Sequence, residues 1–209
     1  MRFVANTATV LCALGLAAGA AAAQNAPAMS GMSGAAAGVD HLPPLTMAAG
    51  ESPEKMFTPA KIAAVATVSN LNEIDPSREA MTRSQNPAVQ AYARDMVMEH
   101  TMFEQQLRAM LNKKKMIEED NALSLQLKRN AQPTLDSLRA KQGMEFDKAY
   151  VLQQIESHDV TLNTLDTSLI PLATDPDMKA MLQNQVRPAV VRHLAQIKQI
   201  HDQMSMASR

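Results

Sequence analysis

The 209-residue sequence predicts an all-α protein, built as a bundle of four long amphipathic helices with one additional crossover helix. Three observations carry this prediction. From residue 58 onward, apolar residues recur in steps of three and four, the period of a helix with one buried face. Thr, Asn or Asp followed directly by Pro marks three helix starts. No segment shows the sustained alternation that is typical of a strand.

The N-terminal segment is expected to direct export and to precede the bundle. Residues 1–23 have the features of a signal peptide, because Arg2 is followed by an apolar run and then by small residues at a cleavage point. The run is shorter than the roughly 20 apolar residues that a membrane-spanning helix needs. Cys12 is the only cysteine and would be removed with this segment. A mature chain that starts at Gln24 would therefore have neither disulfides nor thiolate metal ligands.

Residues 24–57 are expected to form a flexible linker rich in Met, Ala and Pro, since they lack periodic apolar residues. The alternative is a Cu(I) site in this segment, because Cu(I) prefers soft thioether ligands. Its ligands would be Met29, Met32 and Met47, with His41 nearby. The composition favours the spacer.

The helical-bundle domain is expected over residues 58–206. Its first helix should start at Pro59 behind the Thr58 cap, and Pro76 should either kink or end it. The second helix should start at Pro87, behind Asn86. The buried seam expected for this second helix comprises Val89, Tyr92, Met96, His100, Phe103, Leu107 and Met110.

The third helix is the expected crossover, over residues 121–142, with a bend near Pro133 and a stop at Gly143. The fourth should bury a seam that runs from Val151 to Leu169. The last should begin at Pro176 behind an Asp cap and kink at Pro188.

Composition excludes several classes of function. A formal charge of -1 and an aromatic content of 3%, with no Trp, argue against a nucleic-acid partner. After the signal peptide, no apolar run is long enough to span a membrane. Phosphate-binding loops, hydrolase elbows and metalloprotease helices are absent from the sequence, so we assign neither catalytic nor cofactor-binding residues.

Four titratable residues interrupt the apolar seams, one on each long helix: Glu73, His100, His158 and His193. With about 1.5 Å of rise per residue, all four can lie at one level of the bundle. One carboxylate and three imidazoles could bind a single Zn, Cu, Fe or Mn ion. The alternative is a buried polar network in which the histidines donate to Glu73 and to a nearby tyrosine.

A di-iron centre is not expected. It would need Glu-x-x-His pairs on two helices. The residues three positions before the three histidines are Val97, Ile155 and Val190, and none of them can be a ligand.

From Phe57 to about Met204, the sequence resembles the exported bacterial family known as domain of unknown function 4142 (DUF4142). The motifs that carry the resemblance are Asn72-Glu73-Ile74, Pro87 to Ala93, Met96 to Thr101, Gly143 to Tyr150, Ser157-His158-Asp159, and Pro188 followed by His193-Leu194. Glu99 stands where the family more often has Asp, which keeps the charge. The resemblance implies a ferritin-like four-helix bundle in the periplasm or at the outer membrane, and it implies no activity.

Three hypotheses for function follow. The first, favoured by the sequence, is an exported protein without enzymatic turnover that acts in envelope maintenance or stress through binding, with another envelope protein as candidate partner. The second is a metal-binding or metal-buffering protein that uses Glu73 and the three histidines. The third, least favoured, is a redox enzyme built on the same mononuclear site.

Overall fold

The computed structural model describes residues 52–207. The predicted signal peptide and the linker as far as residue 51, with its methionines and His41, lie outside the described residues. Within residues 52–207 the secondary structure is helical and contains no strand, so the all-α prediction is confirmed. The helices are α1 (Pro53–Met56), α2 (Pro59–Arg83), α3 (Pro87–Lys114), α4 (Ala122–Arg139), α5 (Gly143–Thr164), α6 (Ile170–Leu172), α7 (Pro176–Met181) and α8 (Arg187–Ala207).

The three predicted cap-and-proline starts are confirmed. The side chain of Thr58 accepts a hydrogen bond from the backbone N–H of Lys61 at the start of α2. Asn86 caps α3 in the same way, and Asp175 caps α7. Each cap satisfies N–H groups that have no partner within the first turn, and the proline that follows has no N–H to satisfy.

The packed chain begins earlier than the composition suggested. Met56 and Phe57, which the predicted linker includes, are buried in the core. Met56 is the last residue of the short helix α1, and Phe57 follows it. Two large apolar side chains gain enough from burial to order a segment whose surroundings are rich in Pro and Ala.

Prolines modify the long helices without ending them. Helix α2 continues through Pro76, so this proline does not end it. Pro188 is preceded by one wide π-helical turn, Leu182–Val186, after which the N–H of Arg187 bonds to the carbonyl five residues back. An equivalent turn, Leu165–Leu169, precedes Pro171. A wider turn relieves the clash between the proline ring and the carbonyl four residues earlier.

The prediction for the crossover helix was wrong at its C-terminus. Helix α4 ends at Arg139, three residues before the predicted end, and it contains Pro133. Gly143 does not stop it but stands at the start of α5, with φ of 52°. That left-handed conformation lets the chain reverse between the two helices, and a glycine adopts it without the Cβ clash of other residues.

Helix α2 packs along α3 and α4, α5 packs along α8, and further contacts join α2 to α5 and α3 to α8. The core comprises two apolar clusters. The first contains Phe57, Ile62, Phe103, Leu107, Leu165 and Met178, among others. The second contains Ala80, Val89, Met96, Phe146, Tyr150 and Ile197, among others. None of the helices between residues 52 and 207 combines the length and the apolar character that a membrane span requires.

Asn121 joins the start of α4 to the end of α1. Its side chain accepts from the backbone N–H of Ser124 at 2.8 Å and donates to the carbonyl of Met56 at 2.8 Å, and Ser124 bonds back to the backbone N–H of Asn121. The residue is buried, so its removal would leave these groups without partners.

We predict that Asn121→Ala lowers the free energy of unfolding by about 1–3 kcal/mol, because a cap and a buried hydrogen bond are lost together. Urea unfolding followed by circular dichroism measures this. The exposed Asn163→Ala is the control and should change stability by less than about 0.5 kcal/mol. Equal effects of the two substitutions would contradict the assigned role of Asn121.

Candidate metal centre

A layer of polar side chains separates the two apolar clusters. On α3, His100 lies between Met96 of the second cluster and Phe103 of the first. On α8, His193 lies between Val190 of the first cluster and Leu194 of the second. The other members of the layer include Glu73 on α2 and His158 on α5. Each polar residue therefore occupies a core position on a helix that is apolar on both sides of it.

The structure brings the three predicted histidines together. His100, His158 and His193 are 7%, 2% and 1% exposed. Their ring centroids lie 5.4–6.2 Å apart. One ring nitrogen from each lies within 4.8 Å of those of the other two. We call this group the three-histidine cluster.

Hydrogen bonds fix which nitrogen carries the proton in two of the rings. Nδ1 of His100 lies 3.0 Å from Oδ1 of Asn70, an oxygen that only accepts, so Nδ1–H is the donor. Nδ1 of His158 donates in the same way to the backbone carbonyl of Gln154 at 2.9 Å. In the neutral form of each ring the lone pair is therefore on Nε2. Within residues 52–207, Nε2 of His100 is buried without a hydrogen-bond partner.

The third histidine has the opposite tautomer. Nε2 of His193 donates to Oε2 of Glu99 at 3.2 Å, and Arg192 also pairs with this carboxylate. The lone pair of His193 is then on Nδ1, which is buried and has no partner among the described residues. Each ring of the cluster thus donates one N–H to an oxygen acceptor and keeps the other nitrogen as a free base. Metal-binding histidines are held in this way.

The structure does not place Glu73 in the cluster. Its Oε2 accepts a hydrogen bond from Nε2 of Gln154 at 2.7 Å, and Oε1 of Gln154 accepts one from the hydroxyl of Tyr92 at 3.3 Å. The predicted polar network therefore exists around Glu73, but it reaches this carboxylate through Gln154 and not through a histidine. Glu73 is buried, and it makes no ion pair with any residue between 52 and 207.

Burial keeps two of the imidazoles neutral. It lowers the pKa of His100 well below the ordinary 6.5, and the neighbouring His158 and His193 lower it further. The pKa of His193 falls to about 4, mainly through burial and then through His158, although the Glu99 carboxylate opposes the shift. Neutral imidazoles with low pKa values are the form that binds metal ions at neutral pH.

Sequence reasoning missed three residues that orient the histidines: Asn70, Gln154 and Glu99. Two of them carried a signal, because Asn70 is three residues before Glu73 and Gln154 is four before His158, each on the same helical face as its neighbour. Glu99 could not be found from its own helix, since it faces away from His100 and meets His193 on α8.

A cavity of about 50 Å³ adjoins the cluster. His100 and His158 form part of its wall, with Glu73 and Asn70, and His193 does not. Ten of its sixteen lining residues are Ala, Val, Leu, Met or Phe. His201 is partly exposed, is hydrogen-bonded to Asp202 and does not line this cavity.

Residues 43–200 match the family described as a domain of unknown function (DUF4142). The chain belongs to this family. The match confirms the resemblance and covers α1 to α7, both π-helical turns and α8 as far as Ile200, so the cluster lies within the family domain. No curated protein and no solved structure matches the chain.

We predict that acidification destabilises the metal-free protein between about pH 6.5 and pH 4. In this range the unfolded chain binds more protons than the folded chain, because the pKa values of His100 and His193 are lower in the fold than in the unfolded state. The contribution of these two histidines to the free energy of unfolding is therefore fully present above pH 6.5. It is lost as the pH decreases, by up to about 1.4 kcal/mol per pH unit for each histidine.

Urea unfolding at pH 7, 6 and 5 measures this dependence. Titrating carboxylates add to the slope, so the comparison is made between variants. His193→Leu should have a flatter dependence than the wild type, and the control His201→Leu, at a partly exposed position on the same helix, should leave it unchanged. The same slope in His193→Leu as in the wild type would show that this ring does not titrate as described.

Proposed function

We propose that this protein binds one transition-metal ion, Zn²⁺ or copper, through His100, His158 and His193. The observation that carries the proposal is that the three rings come within ligand reach of one another while one nitrogen of each is held by an acceptor, and that the other nitrogen is buried without a partner in His100 and His193. Imidazole suits Zn, Cu, Fe and Ni, whereas carboxylate and carbonyl oxygens suit Mg, Ca and Mn. Three imidazole nitrogens therefore favour the first four metals over Mn, and we take Zn²⁺ and copper as the first to test.

Only small movements are needed to close the cluster around an ion. Bonds of 2.0–2.1 Å to a tetrahedral ion place two ligand nitrogens about 3.3–3.4 Å apart. The three nitrogens lie within 4.8 Å of one another. Ring rotations that move each nitrogen by about an ångström or two therefore bring them to ligand distance. The fourth position of a tetrahedral site would then belong to a group other than these histidines.

Glu73 supports the proposal in a second way. A buried carboxylate without a cationic partner costs free energy, and a neighbouring divalent ion would offset its charge. Glu73 lines the same cavity as His100 and His158. An ion held by the histidines would therefore lie on the side of the polar layer that faces Glu73. We assign Glu73 to the surroundings of the ion and not to its direct ligands.

Export and an envelope role stay proposals. They are supported by the signal-like residues 1–23 and by the family resemblance, and N-terminal sequencing that finds Gln24 first would test cleavage. We also propose the ferritin-like arrangement of α2, α3, α5 and α8 that the resemblance implies. The sequence favours a role in binding without enzymatic turnover, and metal binding or buffering agrees with that role. We therefore favour it over a redox activity.

The proposal predicts one bound ion per chain. Titration of the purified protein with Zn²⁺ and Cu²⁺, followed by removal of excess metal and elemental analysis, should give a stoichiometry close to one. His100→Leu and His158→Leu should each weaken binding by more than about 100-fold, since removal of an outer partner alone costs about 10–100-fold. Competition with a chromophoric chelator measures these affinities.

Three further variants make the test specific. Glu99→Gln removes a charged acceptor from His193 and should weaken binding about 10–100-fold. His201→Leu and Glu73→Gln should leave one ion bound, although Glu73→Gln lowers affinity through the lost charge. Circular dichroism of each metal-free variant confirms that it folds. A stoichiometry near zero, or equal binding by the wild type and His100→Leu, would refute the proposal.

A further inference from the structure

We propose that the ion in the three-histidine cluster keeps one coordination position for an external ligand, a small neutral molecule held in the adjoining cavity. This inference rests on the proposed function. His100 and His158 face the cavity, whereas His193 approaches the cluster from outside its wall. Among the His, Cys, Asp and Glu side chains of residues 52–207, the three histidines form this candidate site without a fourth side chain. Three protein ligands are typical of a metal site that keeps one coordination position open.

The size of the cavity limits the ligand. One water needs about 10–15 Å³ on this measure of volume, so about 50 Å³ admits a few waters or one molecule of two to about four non-hydrogen atoms. Amino acids and sugars exceed this size.

The wall selects against charge. Most of it is apolar, it contains no Lys or Arg side chain among the described residues to pair with an anion, and the charge that the ion would bring is already opposed by its one carboxylate, Glu73. The amide oxygen of Asn70 already accepts the hydrogen bond from Nδ1–H of His100. A neutral diatomic molecule or water fits these surroundings better than a halide or an azide does.

The two π-helical turns form much of the apolar wall. Leu165 and Leu169 come from the turn before Pro171, and Leu182 and Val186 come from the turn before Pro188. A π-helical turn displaces the side chains that follow from the regular helical positions. Both turns therefore shape the space beside the cluster.

Carbon monoxide on the Cu(I)-loaded protein tests this inference, because it is a neutral diatomic probe with an infrared band that reports coordination. The informative variant is Ala66→Leu, which adds three carbons to the cavity wall on α2 and replaces neither a histidine of the cluster nor one of their hydrogen-bond acceptors. Ala91→Leu is the matched control, an equal enlargement at an exposed position on α3.

We expect the wild type to bind one Cu(I) and one carbon monoxide. Ala66→Leu should bind Cu(I) with an affinity within about threefold of the wild type and carbon monoxide at least about 10-fold more weakly, because the ligand must displace a packed side chain. Ala91→Leu should match the wild type in both.

The experiment distinguishes failure of the open coordination position from failure of the proposed metal binding. If Cu(I) binds but carbon monoxide does not, or if Ala66→Leu binds it as the wild type does, the open position next to the cavity is refuted and the metal site stands. If the wild type binds no Cu(I) or other ion, the proposed function is refuted and this inference with it.

Discussion

Where three imidazoles are buried side by side, a ring that becomes charged loses its hydration, and two charged rings repel each other. Each ring can still donate one N–H, and in this fold Asn70, the backbone of Gln154 and Glu99 accept these protons from outside the cluster. With these tautomers the remaining lone pair of each ring is on the nitrogen that the acceptor does not hold. Leaving a buried nitrogen without a partner costs about 1–3 kcal/mol, so the arrangement is unfavourable unless something binds the lone pairs.

The rest of the architecture serves this layer. Apolar clusters on both sides exclude water from the rings, and the long helices α2, α3, α5 and α8 each contribute a polar residue to it. The two wide turns before Pro171 and Pro188 lie on the side of the first cluster and leave space there. A regular apolar core at this level would pack more tightly, so the departures from regular packing coincide with the group that can bind an ion.

The helices and most of their buried faces could be predicted from periodicity and from three cap-and-proline pairs, because these signals are local. The convergence of His100, His158 and His193 followed from their depths along helices of known rise. The end of α4 was misjudged, since Gly143 can terminate one helix or begin the next and only the turn geometry distinguishes the two. Glu99 was missed because its role depends on which face of α8 meets α3. Whether Glu73 contacted the histidines or Gln154 depended on side-chain packing, which periodicity does not specify.

The most direct test of the central claim is the position of the ion. Crystals of the Zn²⁺- or Cu²⁺-loaded protein, measured at the absorption edge of the metal, locate it by anomalous scattering. The account predicts one strong peak at about 2.0–2.2 Å from Nε2 of His100, Nε2 of His158 and Nδ1 of His193. A peak elsewhere, such as among the N-terminal methionines, or a cluster that stays free of metal in the loaded protein, would contradict it.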